Sequence, residues 1–534
     1  MNTLKYLSLG AGLLLAGASL SRAQSRAGGA ELDERAIDEY LTARMRSARV
    51  PGLAAVVVKG ERIVYLKGFG QAVPSGRPVT PQTPFIIGSI TKPFTALAVM
   101  QLVEAGRVQL DAPVQRYLPW FRTAGPAASA RITVRMLIDQ TSGLPQKPTL
   151  VTWTWPDAPD ALERLVRLMA NSALNFPPGE SFAYSNANYV TLAVIIQAVT
   201  GQSYEDYVRE QIFAPLEMQH SYVSQEEAVR DGMAVGHRWW FGFPVPATLP
   251  YNRANLPAGF IISSAEDMAH FLIAQLNEGR YRGRQVLSPE MTALMQAEPP
   301  PGTYGLGWES VRLAGRRLIN ADGATANFQG SLFFDAEAGT GVFVAANVMS
   351  ALDGLSSSLS SSSLGARSLK EIARRLLDPE DRKSFLVSAQ ITTRGLAHSV
   401  LNLATGQPLP PQGPGQRRVS LVYTLALLAL SGALGWSLAR LPGRCNRLAQ
   451  RGFAGRSSLA RRSVRAAIFH FSGPLALLYA KFRVPFWPLA VLYQPDLISW
   501  LFAASAILSL KGILEIALAW RVFREGGRRR AARR

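Results

Sequence analysis

The amino-acid sequence predicts an α+β fold, in which helices flank an antiparallel β-sheet and a mostly helical insertion lies beside it, followed by C-terminal transmembrane helices. Strand-like runs occur at residues 52–68 and again at about 305–348, whereas helical patterns dominate between 94 and 275. Because strands lie at both ends of this stretch and helices lie between them, one sheet is expected to contain both ends of the domain. Long apolar runs after residue 419 predict the membrane region.

Two β-hairpins are predicted at the two ends of the domain. Residues 52–58 and 62–68 are rich in β-branched and aromatic side chains, and a glycine-containing turn joins them. Residues 331–335 and 341–347 form a second pair of apolar runs, again joined by a turn with glycine. This combination of residue types is typical of hairpins.

Ser89 and Lys92 are the first candidates for catalytic chemistry. The tetrapeptide Ser89-Ile90-Thr91-Lys92 opens an apolar helical run that ends at Gly106. Three residues make nearly one helical turn, so the two side chains are expected on one face of the helix. A desolvated lysine amine has a lowered pKa and can accept the serine proton, which turns the hydroxyl into a nucleophile. The pattern also fits a serine that only caps the start of the helix.

Two further polar clusters follow along the chain. Tyr184 and Asn186 are two residues apart in a loop that precedes a second apolar run at 189–200. A phenol and an amide at this spacing can both face one cleft. The third cluster leads into the late hairpin and consists of Ala321, Asp322, Gly323 and Ala324.

The three clusters, about 95 and then about 135 residues apart, resemble the ordered active-site motifs of the serine β-lactamase and penicillin-binding protein superfamily. The most similar pattern is that of the class C β-lactamase-like group, which also contains carboxypeptidases, D-aminopeptidases and esterases. Residues 131–145, 177–179, 257–260 and 264–268 add supporting phrases. The resemblance covers roughly residues 30–380 and implies a β-lactamase/transpeptidase-like fold.

The resemblance also implies a role for each matching residue. Ser89 would be the acylated nucleophile, Lys92 its proton acceptor, and Tyr184 a partner in general acid–base transfer. Asn186 would bind a substrate amide or carbonyl. The backbone N–H groups of Ser89 and Ala324 would together form the oxyanion hole.

The third cluster departs from the superfamily pattern, in which Lys or His stands two residues before the glycine. The glycine is kept as Gly323, which fits a strand edge that lets substrate backbone approach closely. Ala321 replaces the cation that would help to bind a substrate carboxylate. Asp322 adds an acidic side chain and, with Gly323 and Ala324, is expected to contribute to substrate binding. We therefore expect retained chemistry with weakened carboxylate recognition, so that esters, amides or cationic substrates are favoured over penicillins, or else a slow, degenerate enzyme. Met136 and Gln140 occupy places where relatives often carry histidines, and both are interpreted as structural changes.

Other chemistries find no support in the motifs. The sequence has no Gly-x-Ser-x-Gly elbow, no His-Glu-x-x-His zinc helix and no Walker loop. Its five histidines are scattered without metal-ligand spacing, so neither a metal nor a cofactor is expected.

The formal net charge is +20, but residues from Val419 onward hold 18 Lys or Arg against 3 Asp or Glu, beside apolar runs. Nucleic-acid binding would instead require the basic excess on a folded surface.

The N-terminal segment is predicted to export the domain. Residues 1–23 read as a signal peptide, because Lys5 precedes an apolar stretch and Ser21-Arg22-Ala23 supplies a small-x-small cleavage signal. An uncleaved anchor is the alternative. After the domain at 30–380, residues 381–418 are expected to form a linker that reaches the membrane.

Residues 419–534 are predicted to contain about three membrane spans. Runs of about 20 apolar residues suffice to cross a bilayer core of ~30 Å. The runs are 419–438, 466–492 and 497–520. Arginine-rich segments follow the first and the third, and the positive-inside rule places both in the cytoplasm. The domain is then expected on the periplasmic or extracytoplasmic side of the cell membrane. The charged residues Lys481 and Arg483 in the middle run also fit a re-entrant segment.

The sequence as a whole predicts a membrane-anchored extracytoplasmic serine hydrolase that acts through a Ser89 acyl-enzyme on an ester, amide or peptide. The expected partners are a small-molecule or peptide substrate and the lipid bilayer. The alternative hypothesis is a catalytically weak β-lactamase-like binding or sensing module at the membrane. The missing cation at Ala321 and a membrane region larger than an anchor requires both favour this alternative.

Overall fold

The computed structural model describes most of the chain between residues 32 and 349, with gaps at 151, 153–154, 156–157, 241–242, 301–303 and 314. It also describes residues 391–409, 416–440 and 495–531, and the isolated positions 443, 463, 466 and 470. The predicted signal peptide at 1–23 and the expected domain end at 380 lie outside the described residues. So does nearly all of the middle apolar run at 466–492.

A six-stranded antiparallel sheet forms the centre of the domain. The strands of the chain are β1 (Gly52–Lys59), β2 (Arg62–Gly70), β3 (Phe85–Ile86), β4 (His237–Trp240), β5 (Phe243–Pro246), β6 (Ile262–Ser263), β7 (Arg280–Tyr281), β8 (Arg284–Gln285), β9 (Glu309–Leu313), β10 (Arg316–Ala324), β11 (Gln329–Asp335), β12 (Thr340–Ala346) and β13 (Val348–Met349). The central sheet has the order β2-β1-β12-β11-β10-β9. The other strands form small sheets: β13-β4-β5, β3-β6 and β7-β8.

The central sheet joins the two ends of the domain, as the sequence predicts. Strand β1 pairs with β2 on one side and with β12 on the other, so that Val56 lies opposite both Leu66 and Phe343. Both predicted hairpins are present, as β1–β2 and β11–β12. Six of the eight residues of β1 are Leu, Ala or Val and all six are fully buried, because helices cover both faces of the sheet.

Helices are the main regular elements of the chain between β3 and β9, and helices also cover the sheet. They are α1 (Glu34–Ala48), α2 (Thr91–Glu104), α3 (Pro126–Ser129), α4 (Val134–Ile138), α5 (Lys147–Leu150), α6 (Ala161–Leu168), α7 (Asn186–Thr200), α8 (Tyr204–Val208), α9 (Gln225–Arg230), α10 (Leu256–Gly259), α11 (Ala265–Leu276), α12 (Pro289–Met295), α13 (Ile391–Ala404), α14 (Gln416–Ala439) and α15 (Pro495–Ala531). This arrangement confirms the predicted α+β fold, with a mostly helical part beside an antiparallel sheet.

Helix α2 lies in the middle of the larger core, between the sheet and the helical part. It is apolar on every side, as expected for a helix that is enclosed all round. Phe94 of α2 stacks on Phe271 of α11 with ring centroids 4.1 Å apart, and the edge of Phe213 packs against it from the helical part. The residue that carries the candidate nucleophile, immediately before α2, is therefore held by a rigid scaffold.

Helices α1 and α13 cover the other face of the sheet, and α13 corrects the expected linker at 381–418. Residues 391–404 of that segment form a helix packed on β11 and β12, so they belong to the domain. The reason is a helical repeat of apolar residues, all buried in the smaller core: Leu396, Ala397, Val400, Leu401 and Ala404. The glycine and polar residues around this repeat make the helix difficult to predict from the sequence of the segment alone.

The C-terminal helices overlap two of the predicted spans. Helix α14 contains the run predicted at 419–438, and α15 contains the run predicted at 497–520. Among the described residues, the stretch Ser499–Glu525 is long and apolar enough to cross a membrane by length and composition. A membrane crossing by this stretch stays a prediction.

The packing of α13 predicts a specific loss of stability. Leu401→Ala should lower the free energy of unfolding by about 2–4 kcal/mol, because it leaves a cavity at a fully buried site between α13 and the sheet. Chemical denaturation of the detergent-solubilised protein measures this change. The matched control is Leu409→Ala at a position that is 40% exposed, where a change below about 0.5 kcal/mol is expected. Equal effects of the two substitutions would mean that residues 391–404 do not pack on the sheet.

Candidate active site

A tight turn presents Ser89 at the start of α2. Residues Gly88–Ile90 form a short 3₁₀ turn that continues directly into the helix at Thr91. Gly88 has a φ of +57°, and a Cβ atom there would lie 2.3 Å from the backbone nitrogen of Ala324. Only glycine fits both the backbone conformation and the space. The turn is consequently wedged against the end of strand β10.

Lys92 follows Ser89 by one turn of helix and is completely buried. Its Nζ lies 3.1 Å from Ser89 Oγ, 2.9 Å from Asn186 Oδ1 and 2.6 Å from the carbonyl oxygen of Ala258. Burial lowers the pKa of the Lys92 amine well below its ordinary value, while the negative charge of Glu309 acts in the opposite direction. The geometry therefore favours a neutral amine at the candidate nucleophile.

The neighbours of Lys92 match the hydrogen-bonding capacity of a neutral amine. A neutral amine has two N–H groups and one lone pair, whereas an ammonium has three N–H groups and no lone pair. Asn186 Oδ1 and the Ala258 carbonyl can only accept, so they take the two N–H groups. The lone pair is then left for the hydroxyl of Ser89, which can donate. This is the arrangement in which a serine proton can pass to the lysine.

Tyr184 brings a second proton-transfer group to the same serine. Its phenol oxygen lies 2.7 Å from Ser89 Oγ, and the side chain is 39% exposed. Lys92 Nζ lies 4.6 Å from the centre of the Tyr184 ring. The Ser89 hydroxyl therefore sits between a buried amine and a phenol that opens towards solvent.

Asn186 begins helix α7 and faces the lysine. Its Oδ1 accepts the hydrogen bond from Lys92, so the donating Nδ2 of the amide is the group that can bind a substrate carbonyl. Tyr184 and Asn186 thus approach the Ser89–Lys92 pair from one loop, as the two-residue spacing predicts.

The end of β10 forms the opposite wall. A Cβ atom at Gly323 would lie 1.9 Å from the carbonyl oxygen of Ile87 and 2.8 Å from the nitrogen of Ser89, so the strand touches the serine turn here. Thr325 N donates to Phe328 O, and hydrogen-bonded and non-bonded pairs alternate along an antiparallel ladder. By this alternation the N–H of Ala324 points away from β11, towards the turn that carries Ser89.

The third cluster has no cation in this structure, and its acidic residue is already paired. Ala321 is buried in the larger core. Asp322 points to the opposite side of the strand, where its carboxylate accepts hydrogen bonds from Ser331 at 2.6 Å and from Arg394 of α13 at 2.7 Å. Burial raises the pKa of Asp322, and Arg394 opposes this shift. The structure thus gives Asp322 an ion-pair partner in place of the substrate contact expected from the sequence, and does not bring it together with the other candidates.

Two features of this site cannot be predicted from the sequence alone. The Ala258 carbonyl is a backbone atom, which no residue type signals, although the phrase at 257–260 marks the segment. The pairing of Arg394 with Asp322 joins residues 72 positions apart and depends on the docking of α13. Among the described residues, no group of three His, Cys, Asp or Glu side chains is arranged to hold a metal ion.

The fold and the serine–lysine pair define the scaffold class of β-lactamases and penicillin-binding proteins. A sequence model of the family described as Beta-lactamase matches residues 37–355, and the chain therefore belongs to this family.

Individual relatives agree with this assignment. Protein flp of Staphylococcus aureus strain MW2 is 30% identical over 319 residues, which cover 59% of this chain and 63% of that protein. Penicillin-binding protein 4 of Amycolatopsis lactamdurans is 34% identical over 254 residues, which cover 47% of this chain and 66% of that protein. The chain thus spans slightly less than two thirds of these curated relatives.

A solved structure supports the same fold. The octameric penicillin-binding protein homologue from Pyrococcus abyssi superposes with a TM-score of 0.56 and 27% identity, covering 72% of this chain and 80% of that chain.

The contact between β10 and the serine turn predicts that Gly323 cannot be replaced. Gly323→Ala should destabilise the domain by about 1–3 kcal/mol, because the added methyl group forces the strand and the turn apart. Thermal and chemical unfolding measure the loss. Gly395→Ala is the control, because this helical position has open space around it and alanine there should be neutral or stabilising by up to about 1 kcal/mol. A Gly323→Ala protein as stable as wild type would contradict the close approach.

Proposed function

We propose that the protein is a membrane-anchored extracytoplasmic serine hydrolase that forms an acyl-enzyme at Ser89. The observation that carries this proposal is the buried amine of Lys92, 3.1 Å from Ser89 Oγ, with the Tyr184 phenol 2.7 Å away on the solvent side. A serine that only capped the helix would need neither group. The N-cap residue of α2 is Ile90, and Ser89 Oγ instead contacts Lys92 Nζ and the Tyr184 phenol.

In the proposed acylation step, Ser89 Oγ attacks the carbonyl carbon of an ester or amide. The serine proton passes to the neutral Lys92 amine, and the carbonyl oxygen gains the negative charge of the tetrahedral intermediate. The N–H groups of Ser89 and Ala324 would stabilise this oxyanion, at about 3–4 kcal/mol for each well-placed donor. The Asn186 amide would hold the substrate carbonyl or amide beside it.

The bond to the leaving group then breaks, and a proton must reach the departing oxygen or nitrogen. Tyr184 is suited to deliver it, because its phenol contacts Ser89 Oγ and is partly open to the substrate side. The phenol is reprotonated from Lys92, which returns to its neutral form. Deacylation runs the same path with water: the amine and phenol remove a water proton, the hydroxide adds to the acyl carbon, and Ser89 leaves as the hydroxyl.

The substrate class follows from the third cluster. Ala321 supplies no positive charge, and Arg394 is shared between Asp322 at 2.7 Å and Glu309 at 3.7 Å. Two carboxylates near one guanidinium leave no net positive charge to attract a substrate carboxylate. We therefore propose esters, amides or peptides that bind without a carboxylate contact at this position.

Membrane anchoring is supported by the long apolar stretch Ser499–Glu525, and the packing of α14 and α15 agrees with the predicted topology. Trp500 Nε1 of α15 donates to Ser431 Oγ of α14 at 2.8 Å, and Lys511 Nζ donates to Ser437 Oγ. Both contacts advance in the same direction along the two helices, so the helices run parallel. Two parallel spans require the chain between them to return across the membrane, which agrees with three spans and with both arginine-rich segments on one side.

Covalent labelling tests the proposed nucleophile. A fluorophosphonate probe should add to wild-type protein, and the mass increase should lie on the peptide that contains Ser89. Ser89→Ala should lose the label, and hydrolysis of an activated ester should fall by about 10³-fold or more, because no other group supplies the covalent step. Ser75→Ala, at an exposed serine 14 residues before Ser89, is the matched control and should keep full labelling.

A pair of esters that differ only by a carboxylate tests the proposed substrate class. The neutral ester should have the higher kcat/KM.

In the labelling experiment, equal labelling of wild type and Ser89→Ala would refute the hydrolase and leave the alternative of a binding or sensing module.

The single cysteine of the chain provides a topology test. Cys445 lies in the arginine-rich segment after the first predicted span, outside the described residues, and should face the cytoplasm. A membrane-impermeant maleimide should label it only after intact spheroplasts are permeabilised. In a Cys445→Ser background, Ser75→Cys on the catalytic domain should react without permeabilisation. The reverse pattern would place the domain inside the cell.

A further inference from the structure

The loop at 140–146 holds the backbone of the second cluster through two glutamine side chains. Gln140 Oε1 accepts a hydrogen bond from Ser185 N at 2.8 Å. Gln146 Oε1 accepts one from Asn186 N at 2.6 Å. The two donors are consecutive backbone N–H groups. One belongs to Ser185, the residue after Tyr184, and the other belongs to Asn186 itself.

These two N–H groups need partners from outside their own helix. Ser185 is the N-cap residue of α7, and the first N–H groups of a helix have no acceptor within it. The Ser185 side chain makes no capping hydrogen bond. The two glutamine carbonyl oxygens satisfy the N–H groups of Ser185 and Asn186. These backbone donors settle which end of each amide faces them, because only the oxygen can accept.

Gln140 occupies a backbone conformation that the loop must hold in place. Its φ is +61°, in the left-handed region that residues other than glycine rarely adopt, and the residue is fully buried. Its Oε1 also accepts from Asn188 Nδ2 at 2.6 Å, and Asn188 Oδ1 accepts from Ser142 Oγ at 2.5 Å. A network of hydrogen bonds thus ties both ends of the loop to the first turn of α7.

We propose that Gln140 and Gln146 are positioning residues that aim Tyr184 and Asn186 at Ser89 and Lys92 by accepting these two hydrogen bonds. The hydrogen bond to Ser185 N fixes the orientation of the peptide group between Tyr184 and Ser185. The hydrogen bond to Asn186 N fixes the peptide group between Ser185 and Asn186. Each of the two peptide groups thus directs one of the side chains that contact Ser89 and Lys92. This role rests on the proposed function, and it extends the interpretation of Gln140 as a purely structural change.

Gln146 provides the test, because it is only half-buried and its replacement should leave the fold intact. Gln146→Met has a similar length but no acceptor. It should lower kcat for the activated ester about 10- to 100-fold, because a small displacement of the catalytic groups has effects of that size. KM should change by less than about threefold, because Gln146 is not proposed to touch the substrate.

Gln146→Glu is the conservative variant, because a carboxylate oxygen can still accept from Asn186 N. It should recover most of the rate when each variant is measured on the plateau of its own pH profile. The added negative charge close to Lys92 should also raise the pKa of the amine, so the rising limb of the pH–rate profile should move to higher pH. A purely structural role for Gln146 would not tie the rate to a hydrogen-bond acceptor at this position, so Gln146→Met and Gln146→Glu would then have the same plateau kcat.

Ser203→Ala controls for the simple loss of a helix cap. Ser203 Oγ accepts from Asp206 N at 3.0 Å and caps α8, and it makes no contact with the proposed catalytic groups among the hydrogen bonds of the described residues. This variant should lose stability and keep kcat. If wild type is active through Ser89 and Gln146→Met keeps wild-type kcat, the positioning role is overturned while the hydrolase stands. If wild type has no Ser89-dependent turnover or labelling, both proposals are overturned.

Discussion

The chemistry of the candidate active site depends on the burial of one amine, that of Lys92. Lys92 has no exposed surface, and its three polar neighbours are a hydroxyl, an amide oxygen and a backbone carbonyl. None of them carries a negative charge, so a charged ammonium at this place has no direct counter-ion and is penalised by desolvation. A neutral amine fits the same three neighbours without that penalty. The fold thus creates a base beside a serine by enclosing a lysine rather than by adding a histidine.

Close backbone contacts set the shape of the cleft around that amine. The serine turn and the end of β10 approach until only glycine fits on either side, at Gly88 and at Gly323. This contact brings backbone N–H groups from two distant segments to one place, as an oxyanion site requires. The helical part supplies the phenol and the amide from the opposite side. The site therefore depends on the sheet and the helical part being docked together, and neither part holds all of its groups.

The sequence allows much of this to be predicted, and the limits have physical causes. The hairpins, the helix after Ser89 and the proximity of Ser89, Lys92, Tyr184 and Asn186 follow from periodicity, spacing and a recognised order of motifs. The docking of residues 391–404 on the sheet does not, because a short amphipathic repeat gains its stability only from a surface distant in sequence. The orientation of Asp322 depends on the same docking, since its partner Arg394 lies on that helix. The roles of Gln140 and Gln146 depend on individual hydrogen bonds, for which residue type alone gives no signal.

Direct titration of the Lys92 amine tests the central claim most closely. The Cε resonance of Lys92 in protein labelled with ¹³C-lysine reports the charge of the amine, and Lys92→Arg assigns the resonance. Because desolvation is the main cause of the lowered pKa, the amine should titrate well below about 10.4, the ordinary value for lysine. Ser89→Ala should leave that titration in the low range. An amine that stays charged up to pH 10 would contradict the account, because the serine would then have no base beside it.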